Sequence, residues 1–562
     1  MDRNEQIAAL INIEGVTKEE ITALLTTPKD LAFADVALPC FRFAKALRKS
    51  PVDIAKELAD KISADLPPYL LSCTALNGYL NFKFSRSNMA EETLLKVLDE
   101  KENYGKSDIG AGKTICIDFS SVNIAKPFHI GHLSSTVIGG ALSRIFRTLG
   151  YDVVRINHLG DWGTQFGKMI VAYKMWGEGA DIEKGGVKAL HKLYVRFHQE
   201  AEKDESLNDL GRHWFKLIED GNEEALALFA QFKKVSLAEA KRVYDRLGIE
   251  FDSYAGESFY NDKMQPVLDK LEAKGLLVES DGAKVVNVGE DMPPCLLVRS
   301  DGATLYATRD LAAAFYRKNT YDFYKCLYVV AYQQNLHFKQ VFKVLELMGE
   351  PWAKDLEHVN FGMVSLADGT MSSRQGKVVY LEDVLNSAVE KARSIIEEKN
   401  PSLEDKDLIA EQVGVGAVVF GALVNNRIKD ITFSYDKVLN FDGETCPYVQ
   451  YTHARCASLI EKAGGFDVTK ADFSSLENAH EIISAIAAYG DMIRAAADKR
   501  EPSVITRHAI DIAELFNKYY IDNRILNAEE GVKNARLALT FAVKQVIANS
   551  LSLLGISVPD KM

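Results

Sequence analysis

Ser120-Ser121-Val122-Asn123-Ile124-Ala125-Lys126-Pro127-Phe128-His129-Ile130-Gly131-His132 decides how the chain is read. Just before it, Ile115-Cys116-Ile117-Asp118-Phe119 is β-branched, aromatic and short enough for a buried strand. Just after it, Leu133, Val137, Ile138, Leu142, Ile145 and Leu149 recur at helical spacing, with Gly150 as a stop. The predicted unit is strand, loop, helix, with two histidines flanking a glycine at the helix start. Such a start attracts phosphate through free N–H groups and the macrodipole. Gly131 lets a base or ribose approach the backbone. His129 and His132 are donors for a phosphate whose charge shifts as a bond breaks. The same pair fits one cap and one buried, satisfied side chain, and that reading stays open on this motif alone.

The 562 residues suffice for several domains with sizeable cores. Hydrophobic content of 47% with 26% charged residues is that of a soluble globular chain. No apolar run reaches membrane-spanning length, and the first residues lack a secretion signal. Seven scattered cysteines without a C-x-x-C pair predict reduced core thiols in a cytoplasm and no zinc site. A net charge of −12 argues against non-specific polyanion binding but permits a local basic face.

Residues 1–110 read as an α+β domain. Helical patterns over Asn4–Ile13, Lys18–Leu25, Pro51–Leu66 and Asn88–Leu98 surround a strand at Gly78–Phe84, with Asp30–Pro39 as loop. Gly112-Lys113-Thr114 is half of a P-loop, but Ser107 stands where a glycine is required and a strand follows, so it is rejected. From 111 to 395, strand-like runs (Ile115–Phe119, Asp152–Asn157, Lys284–Val288, Cys326–Val330, Val359–Phe361) alternate with helices. This predicts a parallel sheet with ligands at the strand C-termini. Charged amphipathic helices at about 177–245 interrupt it, their charges read as solvated faces. From 396 to 562 only helical spacing is found, over Val413–Asn425, Val449–Lys462, Ala479–Ala497, Val504–Asn517 and Ala535–Leu553.

A second nucleotide signal is Asp368-Gly369-Thr370-Met371-Ser372-Ser373-Arg374-Gln375-Gly376-Lys377. A Gly/Ser-rich loop with cations suits a clamp on a triphosphate, and equally an ordinary turn.

The stretch 121–133 resembles the His-Ile-Gly-His signature of class I aminoacyl-tRNA synthetases, in the form carried by arginyl-tRNA synthetases. The second signal resembles that class's Lys-Met-Ser-Lys-Ser loop, with Thr370 and Ser373 in place of both lysines. Arginyl-tRNA synthetases often lack the clamp lysine and carry one where Lys126 stands. The resemblance therefore implies catalytic roles for His129, His132 and Lys126, and ATP binding by Gly131, Met371, Ser372, Ser373 and Arg374. Selecting a guanidinium, five donors in a planar fork, requires carboxylates in a confined pocket. Tyr306 and Asp310 lie on one face if helical, and Glu257 follows a Gly turn. Without context Asp310 is a helix N-cap and Glu257 a surface acid. Both segments resemble the family's arginine pocket, and Asn123 and Gln334 match positions holding the substrate's α-amino and carboxylate groups. His158-Leu159-Gly160-Asp161-Trp162-Gly163 matches a segment beside the family's active site but reads as a tight turn without chemistry.

Tyr448 and Tyr451 lie in a stretch similar to the family's anticodon-binding helix. They suit stacking on unpaired bases or a core aromatic pair, and Met562 matches a terminal Met that meets the anticodon. The N-terminal domain resembles one that touches the tRNA elbow, with Asn77–Phe82 the expected contact. The resemblance implies a multidomain α/β protein: an N-terminal α+β domain, a Rossmann-like catalytic domain and an all-α anticodon-binding bundle. It implies ligation of L-arginine to tRNA(Arg) through arginyl-adenylate, with ATP as substrate, Mg2+ accompanying ATP and no dedicated metal site. The chain is expected to be cytoplasmic, off the membrane and monomeric. Another class I activating enzyme is disfavoured by Asp310 and Glu257. A non-catalytic tRNA-binding relative is disfavoured by His129, His132 and Lys126.

Overall fold

The computed structural model describes residues 3–28, 34–124, 126–177, 182–366 and 379–562. The second nucleotide signal, with Met371, Ser372, Ser373, Arg374 and Lys377, lies outside the described residues, as does Ala125. The chain divides into two units. One comprises Met1–Lys101, Leu459–Ala487 and Leu515–Ala542; the other comprises Glu102–Ser458, Ala488–Glu514 and Val543–Met562.

In the first unit a three-stranded antiparallel sheet runs in the order Val36–Pro39, Tyr79–Phe84, Leu70–Leu76. Asn77 and Gly78 join the last two strands with positive φ at both residues (51° and 80°), the geometry a two-residue hairpin requires. Helix Pro51–Ala64 starts on a Ser50 cap with proline in its first turn, and it buries Ile54, Ala55, Ala59 and Ile62. These side chains share one core with Leu38, Leu80 and Phe82. Val36–Pro39 corrects the loop expected there, and Leu70–Leu76 is a further strand. The first is only four residues long and is defined by its pairing with Tyr79–Phe84 rather than by its own pattern.

In the second unit four parallel strands stand in the order Leu356–His358, Lys325–Tyr328, Thr114–Asp118, Asp152–Ile156. Thr114–Asp118 is central, and Ile115, Cys116 and Ile117 are all buried, which explains its unbroken apolar run. Helix Leu133–Thr148 follows with Leu133, Val137, Ile138, Leu142 and Ile145 buried, each worth about 1.5–3 kcal/mol of apolar burial. The interrupting segment consists of helices Ile182–Ala201, Ser206–Glu219 and Glu223–Arg246.

Three strand expectations are corrected. Ala283–Val286 belongs to a separate antiparallel sheet with Leu277–Ser280 and Cys295–Val298. The edge strand is Leu356–His358 rather than Val359–Phe361. Ile431–Phe433, in a region expected to be only helical, pairs in parallel with Val364–Leu366. Strands of three residues carry no readable period. The helix expected over Ala479–Ala497 is two, His480–Ala487 and Tyr489–Lys499. All seven cysteines are buried free thiols. Among the described residues no helix is long and apolar enough to cross a membrane.

Candidate active site

The loop after Thr114–Asp118 ends in a short 3-10 turn, Ile130–His132, closed by its own histidines. Gly131 N–H donates to His129 Nδ1 (3.0 Å), and His129 N–H donates to His132 Nδ1 (3.2 Å). Two N–H groups that the sequence offers to a phosphate are therefore already used. The reciprocal gain is a fixed tautomer: with each Nδ1 accepting, the proton of each neutral ring sits on Nε2. Burial, then the Lys126 and His191 charges, pushes His129 down to about 4. Burial and the neighbouring His129 hold His132 well below the imidazole range. The two rings, 4.0 Å apart, are thus a pair of neutral Nε2–H donors.

The adjacent strand, Asp152–Ile156, leads into His158–Gly163. This segment does more than turn. Gly160 pairs with Asn123, and its N–H donates to Val122 O at 3.0 Å, so the loops leaving two neighbouring strands are laced together. Asp161 is fully buried and accepts from Lys233 Nζ (2.6 Å), Ser258 N–H (2.9 Å) and Ser258 Oγ (2.8 Å). Glu257 N–H donates to Leu159 O (2.9 Å), which seats Glu257 beside Asp161. A Cβ on Gly160 would stand 2.3 Å from Asn123 Oδ1. Gly160→Ala is expected to displace Asn123 and cost about 1–3 kcal/mol of overpacking, read as a lowered Tm. An unchanged Tm would mean the loop has room to spare.

Helix Tyr306–Tyr321 starts on Leu305, so Asp310 lies inside the helix and is not its N-cap. Tyr306 and Asp310 share a helix face as expected, and Tyr306 is exposed. Burial opposes the Asp310 charge, but a 2.5 Å bond from His337 Nε2 and the His337, His158 and Arg317 charges hold its carboxyl below the usual range. Burial pushes Glu257 up to about 7; Arg309 opposes this, while Asp310 and Asp161 add to it. The two acids thus sit within each other's field and titrate differently. Gln334, exposed, stands at the N-cap position of helix Asn335–Leu347 without a side-chain capping bond, and that helix carries His337 to Asp310. Asn123, Glu257, Tyr306, Asp310, Gln334, His129 and His132 therefore gather at the carboxyl edge of the parallel sheet. Lys126 stands there too, its charge felt by both imidazoles.

The family model for the catalytic domain of class I (R) tRNA synthetases matches residues 93–435. The arginyl-tRNA synthetase N-terminal domain model matches 4–84, and the DALR anticodon-binding domain model matches 449–562. The chain belongs to the arginyl-tRNA synthetase family. A relative from Clostridioides difficile (strain 630), named arginine–tRNA ligase, is 54% identical over 98% of this chain and 97% of its own length. Another of that name, from Alkaliphilus metalliredigens (strain QYMF), is 50% identical over the full length of both. The solved Thermus thermophilus arginyl-tRNA synthetase has a TM-score of 0.79 at 27% identity and covers 96% of each chain. Membership of the class I family brings ATP use with it. Strand Ile431–Phe433 falls within the catalytic match, and the described residues of the anticodon match hold no strand.

Some residues that shape the site escape a reading of the family motifs. Arg317, 1% exposed, bonds Asp118 Oδ2 at 2.7 Å at the end of the central strand and lies 3.3 Å from His158 Nδ1. Neither it nor His337 carries a local signature; only the fold brings them to their partners. In the helical region, Tyr451 is 41% exposed and Tyr448 half-buried on helix Cys446–Ala463, so they are not a core pair. Tyr451 and Met562 line one cavity of about 380 Å³ with Lys399, Asn400 and Phe441. The Arg455 guanidinium lies 4.8 Å from the Tyr451 ring centre.

Proposed function

We propose that the chain ligates arginine to tRNA(Arg). The observation that carries this reading is two carboxyl groups, Glu257 and Asp310, placed with a pair of neutral imidazole donors at one edge of the sheet. The arginine carboxylate attacks the α-phosphorus of ATP, the bond to the pyrophosphate oxygen breaks, and arginyl-adenylate forms. The terminal ribose hydroxyl of the tRNA then takes the arginyl group and AMP leaves. His129 and His132 donate from Nε2 to phosphate oxygens as charge moves toward the leaving group. Lys126 neutralises that charge in place of the absent clamp lysines, and Gly131 with Met371, Ser372, Ser373 and Arg374 completes the ATP site. Asp310 and Glu257 grip the guanidinium, Tyr306 lines the slot, and Asn123 and Gln334 hold the α-amino and carboxylate groups. Such chemistry is positioning plus charge stabilisation. Mg2+ enters as the counter-ion of the triphosphate. Among the described residues no group of three or more His, Cys, Asp or Glu side chains gathers to hold a metal.

The cavity shared by Tyr451 and Met562 is suited to an unpaired anticodon base, with stacking worth about 1–3 kcal/mol. The Asn77–Phe82 hairpin meets the tRNA elbow. The three functional regions are 1–110, 111–395 and 396–562, in a protein that acts as a cytoplasmic monomer.

Glu257 makes the reading pH-sensitive. Its carboxyl ionises only near 7, and a bound guanidinium favours the ionised form, so arginine binding expels a proton below that value. Arginine KM is expected to fall as pH rises through about 7 and then level off. Glu257→Gln removes this dependence; a flat profile in the unaltered protein would exclude Glu257 from the pocket. The decisive assay is ATP–pyrophosphate exchange across the twenty amino acids, with and without tRNA. Exchange with an amino acid other than arginine would overturn the assignment.

A further inference from the structure

The helical insertion meets the nucleotide seat in more than one place: Tyr244 bonds Ser120 Oγ at 2.8 Å and packs on Phe128 with ring centres 5.3 Å apart, and a further contact runs through Tyr380. Val379, Tyr380 and Leu381 run antiparallel to the histidine turn. Ile130 N–H donates to Val379 O (3.1 Å), Leu381 N–H donates to Phe128 O (2.9 Å), and His129 and Tyr380 are bridge partners. From this backbone ladder the Tyr380 side chain enters the insertion. Its hydroxyl lies 3.3 Å from Nδ1 of the buried His191, with the two rings at 83°. Lys188 Nζ stands 4.8 Å from the centre of the Tyr380 ring and reaches Asp383 at 3.1 Å. Arg242 meets Glu382, and Arg246 binds both oxygens of Glu411 and also Asn386 Oδ1. Charges expected to be merely solvated thus hold helix Leu381–Lys399, which begins beside the histidine turn.

These contacts are not equal. Lys188–Asp383 and Arg242–Glu382 are largely exposed and contribute little each, and the partly buried, two-pronged Arg246–Glu411 pair joins a different helix, Lys406–Leu423. The His191–Tyr380 bond is directional, and its histidine is buried, where a lost partner is costly. We propose that His191 is a positioning residue for amino-acid activation. Through the Tyr380 hydroxyl it fixes the strand that orients the His129–His132 turn, and so aims both Nε2–H groups at the nucleotide. This rests on the reading of that turn as the ATP seat. The effect falls on ATP rather than arginine, because Glu257 and Asp310 hang from other elements.

The test measures arginine-dependent pyrophosphate exchange in the full chain, with KM determined separately for ATP and arginine. His191→Leu and the better-packed Tyr380→Phe are each expected to raise ATP KM about 5-fold, the scale of one lost hydrogen bond, with arginine KM changed less than about 2-fold. His191→Asn, whose Oδ1 takes the place of Nδ1, restores most of the loss. In the Tyr380→Phe background, His191→Leu raises ATP KM by less than it does alone. Unchanged ATP KM in both single variants, or equal damage to both KM values without rescue by asparagine, overturns the proposal. Absence of arginine-dependent exchange in the unaltered protein overturns instead the functional reading beneath it.

Discussion

His132→Asn is expected to fold like the unaltered protein and to lose arginine-dependent pyrophosphate exchange by on the order of 100-fold, the scale of one missing transition-state donor. The two ring nitrogens have separate duties. Nδ1 of His132 accepts the His129 N–H at 3.2 Å, a structural duty that an asparagine Oδ1 can assume. Nε2–H is the group left for chemistry, and asparagine has nothing at that distance. His132→Gln reverses the trade, since its amide nitrogen reaches the Nε2 position while the cap is lost. That variant should retain more exchange yet unfold earlier, by about 0.5–2 kcal/mol for a missing cap. If asparagine kept near-normal exchange, His132 would be a cap and nothing more. Acidification adds a separate signature from His129, whose value lies at about 4 against an ordinary 6.5. A histidine depressed in the folded state contributes stability that is complete above 6.5. That stability is lost as pH falls toward 4, because the unfolded chain takes the proton first.

Asp310→Asn is expected to raise arginine KM by on the order of 100-fold while leaving ATP KM unchanged, as befits loss of one member of a desolvated charge pair. The substitution keeps the shape and a partner for His337, so the loss reports charge rather than packing. Discrimination against lysine should shrink with it, because the forked geometry of the guanidinium is read by two acids at once. Undiminished discrimination would clear Asp310 of any part in selection.

Local pattern goes far in this chain. The unit Ile115–Leu149 is legible because an unbroken apolar run sits beside a strict helical period, and both describe burial that the fold then supplies. The break at Ala488 is not legible, because the neighbouring Gly490 falls inside the second helix rather than at the break. Nor is the sheet that takes Ala283–Val286, since a four-residue strand says nothing of its partners. The candidate site divides the same way. His129, His132, Glu257 and Asp310 lie in family motifs, whereas Arg317, His337 and His191 meet their partners across 199, 27 and 189 residues. A side chain whose meaning depends on a distant strand end carries no mark of it in its neighbours.

The Asp118–Arg317 pair bears on selectivity from an unexpected side. The proposed guanidinium pocket has one of the protein's own guanidinium groups, that of Arg317, within range of Asp310's field. Bound to Asp118 at 2.7 Å and walled off from water, that internal arginine is tethered elsewhere. If Asp310 and Glu257 grip the guanidinium as proposed above, this tether leaves both acids to arginine arriving from solution.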